Sequence, residues 1–153
     1  MSDVRSRRRI AGRLRRFAEL REGTARRARV RASREVEAAE TDLATVEADQ
    51  RAAEDELLAP EKTLTGADMH LLEAGRTKHR TRRALSQAEL QRRHLEHDAR
   101  VTLHKQAITE QRGKEALEDH AKRALQDEIE KQEARERDEL SATRASSKGS
   151  EET

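Results

Sequence analysis

Six histidines and an arginine run are the side chains of this sequence with the most potential chemistry. His94 and His97 share a helical face with Glu96 beside them, and His104 follows further along. Zinc takes such ligands, but only where they converge within a fixed second shell. An exposed helical rod offers no such enclosure, so the spacing predicts a solvated face. Carboxylate pairs such as Glu136 and Glu139 would need a cleft that shifts their pKa values before they could act as acid and base. Neither the G-x-x-x-x-G-K-[ST] nor the G-x-G-x-x-G phosphate loop occurs. Gly12, Gly23, Gly75 and Gly113 stand singly inside helical stretches. No catalytic, cofactor or metal residue is assigned, and the chain is not expected to be an enzyme.

The arginines from Arg5 to Arg16 could hold nucleic-acid phosphates by a salt-sensitive, sequence-blind route. Phe17 is the only aromatic residue of the whole chain, so the stacking platform of single-strand binders is missing. A protein contact is the preferred reading, and a nucleic-acid partner is not expected.

The elements that carry these residues follow from composition. Of 153 residues, 42% are charged and 33% hydrophobic, with one proline and no cysteine. A domain of this size normally buries about 70% of the surface its unfolded chain exposes, and here the aromatic side chains that fill such cores are absent. Ala, Glu, Lys, Leu and Arg dominate, the composition of long helices and coiled coils. No run is long and apolar enough for a transmembrane helix, and the arginine-rich start lacks the apolar stretch of a signal peptide. The expected location is the cytoplasm.

Spacing then divides the chain. Residues 1–58 predict a first helix with a basic N-terminal end, 59–67 a turn holding Pro60 and Gly66, 68–145 a second helix, and 146–153 a flexible tail. Thr65 is placed to cap the helix that opens near Asp68. The four-residue steps through Ala28, Ala32 and Val36 read as a stutter. The fold class is all-α: two long helices in an antiparallel coiled-coil hairpin. The expected seam sets Leu14, Phe17, Val36, Leu43, Val46 and Leu57 against Leu71, Leu85, Leu95, Leu103, Ile108 and Leu117. A fold centre near residue 63 would bring Ile10 to Leu117, Phe17 to Ile108 and Leu43 to Arg83, and leave about 20 residues after position 122 as an overhang. A monomer is expected, because each seam has an intramolecular partner, with a second helix on the order of 110 Å long.

Charge is uneven. Residues 1–34 carry 13 Arg against 3 acids, a net of +10, while residues 35–58 carry 1 Arg against 9 acids, a net of −8. Near-zero total charge thus hides two regions suited to different partners. The basic end, through Arg8, Arg9, Arg13, Arg15 and Arg16, together with Asp138, Glu139 and Leu140 in the overhang, is the expected docking surface. A generic architectural coiled coil, or a basic nucleic-acid-associated coiled-coil protein, is the alternative reading.

Four local patterns carry a family resemblance: Leu14-x-x-Phe17-x-x-Leu20-Arg21-Glu22 followed by Ala25; Ala39-Glu40-x-x-Leu43; the mid-chain turn; and Arg135-Glu136-Arg137-Asp138-Glu139-Leu140. In these the chain resembles the FliJ/YscO family, central stalk proteins of type III export systems, flagellar or injectisome. The resemblance implies an antiparallel coiled coil whose base meets a hexameric export ATPase and whose middle meets the export-gate membrane protein, with export chaperones as further partners. Peripheral placement at the inner face of the cell membrane, through the export apparatus, follows. Alignment on Ala39-Glu40-x-x-Leu43 puts the gate contact at Asp42, Val46, Asp49 and Ala53.

Overall fold

The structure, a computed structural model, describes residues 2–61 and 63–151, with side chains over 3–61 and 63–144. Two helices account for nearly all of it: α1 (Ser2–Leu57) and α2 (Gly66–Glu151). Neither contains proline, and both are rich in Ala, Arg, Glu and Leu, the strongest helix formers. Pro60, which lacks an N–H and restricts the residue before it, stands just past the end of α1.

The start of α2 is capped as expected. Asp68 N–H donates to Thr65 Oγ1 (3.3 Å), while Thr65 N–H donates to Asp68 Oδ2 (2.8 Å). This reciprocal pair satisfies donors that the first turn leaves open, and the Asp68 carboxylate complements the helix dipole. At its far end α2 runs to Glu151, through the segment expected to be a tail from residue 146. No proline interrupts that segment, so nothing in it forces the helix to stop; residues 152 and 153 lie outside the described residues.

The chain forms two compact bodies: a loop body of residues 24–105, and a terminal body that joins residues 1–23 to 106–153. In the loop body Glu54 meets Arg76 (3.3 Å), Glu47 meets Arg83 (3.1 Å) and Glu35 meets Arg93 (2.8 Å). Numbers fall along α1 as they rise along α2, so the two helices of this body are antiparallel. In the terminal body Arg21 meets Glu110 (3.0 Å) and Arg15 meets Glu118 (3.1 Å), again antiparallel. These pairs centre the register at about residue 65 rather than 63. Arg83 accordingly faces Glu47 instead of Leu43. Each of these solvent-exposed pairs adds little to stability by itself.

The seam differs from the expected leucine zipper. Buried or half-buried positions on α1 recur every seven residues at Val4, Ala11, Ala18, Ala25, Ala32, Ala39 and Val46. The intervening row is Arg15, Glu22, Val36, Leu43, Gln50 and Leu57, all at least half-buried. On α2 the inward positions include Leu72, His79, Leu90, Arg93, His97, His104, Ala107, Ile108, Gln111, Glu118 and Leu125. Val36, Leu43, Val46, Leu57 and Ile108 therefore take the expected side, whereas Leu14, Phe17, Leu71, Leu85, Leu95, Leu103 and Leu117 are exposed. A seven-residue repeat of methyl-sized side chains leaves long polar side chains of α2 free to lie with their stems inward and their heads toward water.

Three carboxylates are held below the ordinary carboxylate range: Glu54 by hydrogen bonds from Gln50 and Arg76, Glu89 by Arg92 and then Arg93, and Glu118 by Lys122 and then Arg15. A depressed folded-state pKa supplies stability that is fully present above the unfolded value and is lost as pH falls through the folded one. The melting temperature should therefore drop as pH is lowered through the ordinary carboxylate range and below it. Glu118→Gln, which removes one of the titrating groups, should flatten part of that drop in circular dichroism melts.

Candidate functional site

The basic run resolves into two populations once the register is known. Arg15 lies in the seam, with Nη1 3.1 Å from Glu118 Oε2 and Nε 3.1 Å from Glu19 Oε1. Glu118 is a half-buried carboxylate, its side chain only 14% exposed, and Lys122 Nζ approaches it at 3.2 Å. Arg15 is thus a structural cation and leaves the expected docking set. Arg7 pairs with Asp3 (2.7 Å) and Arg21 with Glu110.

Arg5, Arg8, Arg9, Arg13 and Arg16 behave differently. They are exposed, and among the described residues none makes an ion pair. Together they line an open groove of the terminal body, with Gly12, Glu118 and Leu125 as the rest of its walls. Steps of three and four set these arginines on neighbouring rows of α1, with Arg8 one heptad before Arg15 on the row that Arg15 and Glu22 carry along the seam. Five unpaired guanidiniums on one face repel one another and attract any surface rich in carboxylate or phosphate. Arg8, Arg9, Arg13 and Arg16 are thus brought together as expected, and Arg5 joins them.

The overhang starts later along α2 than expected. Leu125 is buried, and Glu128, Ile129 and Gln132 are half-buried, so pairing continues well past residue 122. From 133 to 144 every side chain is exposed, Asp138, Glu139 and Leu140 included. None of those three lines the arginine groove, whose α2 wall is made by Glu118 and Leu125.

In the loop body, Asp42, Asp49 and Ala53 are exposed but Val46 is buried in the seam. Asp49 also faces Arg82 across the helices at 3.8 Å. A partner cannot reach Val46 without opening the coil, so the four positions do not form one free surface.

The histidines divide likewise. His94 is exposed, 4.0 Å from Glu40, and His97 is half-buried with Asp98 at 3.5 Å. His104, expected on a solvated face, is instead buried (7% exposed), with Arg29 Nη1 3.4 Å from its Nδ1. Among the described residues no group of three or more His, Asp and Glu converges to hold a metal ion, and no helix is long and apolar enough to cross a membrane.

Sequence reasoning missed one feature. Ile10, Leu14, Phe17 and Leu20 form an exposed apolar row on α1. The signal that could have found it is the stricter seven-residue alanine repeat, which claims the seam and leaves the bulky residues outside. No family model, no curated protein and no solved structure matches this chain.

Proposed function

We propose that this chain is a non-enzymatic stalk and escort component of a type III protein-export apparatus. Its basic end docks on a hexameric export ATPase, its middle meets the export-gate membrane protein, and export chaperones associate with it. It works in the cytoplasm, peripheral to the inner face of the cell membrane through the apparatus. The observation that carries this reading is the arginine groove: five cations that make no ion pair among the described residues, at the open end of an antiparallel pair whose second helix continues beyond the first. Carrying unneutralised like charge is unfavourable for the free protein, and an acidic partner surface removes that cost. The four local patterns shared with FliJ/YscO-type stalks support the same reading.

The test is association with a purified hexameric export ATPase. Co-elution on gel filtration is expected at about 50 mM salt and should be lost by about 0.5 M, where exposed charges are screened within a few ångströms. Absence of co-elution at either salt would remove the ATPase from the account.

A further inference from the structure

The apolar row on α1 runs from Leu14 at the edge of the seam out to Phe17 and Leu20, and takes no part in the arginine groove. Phe17 and Leu20 are each 69% exposed and Ile10 is 57% exposed, with Leu14 at 39%. Their spacing of four, three and three residues keeps them on one side of the helix. The Arg21–Glu110 pair marks this side of the seam. Leu14 lies one heptad before Arg21, and Leu117, half-exposed, lies one heptad after Glu110. Leu117 therefore extends the apolar side onto α2.

The row is bordered by cations. Arg13 stands four residues before Phe17, and Arg16 four before Leu20, so both are surface neighbours of the apolar side chains. Every cation in α1 is an arginine, since no lysine precedes Lys62. Guanidinium binds phosphate through paired donors and gives up its hydration more readily than an ammonium. An exposed Phe and Leu face beside unpaired arginines is the arrangement that seats a helix at a charged lipid surface, with apolar side chains among the acyl chains and cations among the headgroups. A partner helix would instead seek a channel for its ridges. The groove of this body lies with the arginines, and none of the four apolar residues lines it.

We propose that the Ile10–Leu14–Phe17–Leu20 face, with Arg13 and Arg16 beside it, is a binding surface for anionic phospholipid. This goes beyond the export reading and does not depend on it, because it concerns the chain alone. The experiment is co-sedimentation of the full chain with vesicles of phosphatidylglycerol and phosphatidylcholine, against vesicles of phosphatidylcholine only. Binding to the anionic vesicles is expected to be at least tenfold stronger than to the neutral ones. The double variant Phe17→Ser with Leu20→Ser should lose tenfold or more of that binding while keeping its helical circular dichroism, since neither side chain is in the seam. Arg13→Gln with Arg16→Gln should lose a similar factor. Failure of the wild-type chain to bind anionic vesicles overturns the proposal. So does full retention of binding by the Phe17/Leu20 variant, which would reduce the effect to charge alone. Equal binding to neutral vesicles, or capture of an acidic protein helix through Phe17 and Leu20 without any vesicle binding, overturns it as well.

Discussion

Replacing Ala18 with leucine should destabilise the protein by about 1–3 kcal/mol, the usual cost of forcing extra methylenes into a filled site. The neighbouring change Phe17→Ala, which deletes the largest apolar side chain of the molecule, should move stability by less than about 0.5 kcal/mol. Ala18 is only 2% exposed and belongs to the seven-residue row that α1 turns toward α2, whereas Phe17 points outward. Helix propensity cannot produce this ordering. Leucine is nearly as good a helix former as alanine, and phenylalanine is worse by about 0.5 kcal/mol, so Phe17→Ala should be neutral or slightly stabilising. A buried phenylalanine would instead cost about 3–5 kcal/mol on truncation. Thermal and urea melts of the two single variants measure the contrast. A large loss for Phe17→Ala together with a silent Ala18→Leu would mean that the leucine and phenylalanine face, and not the alanine row, forms the seam.

That contrast also locates where the sequence is and is not readable. Helix content, the turn at Pro60, the Thr65 cap and the antiparallel pairing all follow from local signals: the absence of proline, a side chain placed to accept an N–H, and a short connection. The seam does not follow from size ranking. Searching for large apolar residues assigns Leu14, Phe17 and Leu95 to the interior, yet the inward row on α1 is alanine, interleaved with Arg15 and Glu22. Such a row is inconspicuous because alanine is equally at home on a solvated helix face. It becomes visible only when recurrence at seven is weighted above hydrophobicity.

Register was equally hidden. The connection between α1 and α2 suggests a centre near residue 63, but Arg21–Glu110 and Arg83–Glu47 place it about two residues later. Those ion pairs and the alanine row, more than the length of the turn, determine which residues oppose one another. The candidate site inherits this dependence. That the first 34 residues are strongly basic can be counted from the sequence. Which arginines remain unpaired cannot, because Arg15 and Arg21 are neutralised by acids nearly a hundred positions away. The same register turns Val46 into the coil, and with it one of the four expected gate contacts.

The most direct test of the export-stalk account is the affinity of the chain for a hexameric export ATPase before and after charge reversal at the groove. Arg9→Glu, Arg13→Glu and Arg16→Glu change three exposed side chains without ion-pair partners, so helicity and melting temperature should stay close to those of the parent. Arg15 is left intact, since its loss would remove the ion pair that Glu118 makes across the helices and confuse docking with folding. Reversal replaces three attractions to an acidic surface with three repulsions. The account therefore predicts roughly tenfold or greater weakening of ATPase binding at low salt, with the gap narrowing as salt is raised. Unchanged ATPase affinity in the triple variant, or unchanged ATPase affinity accompanied by loss of binding to RNA or DNA, would contradict it.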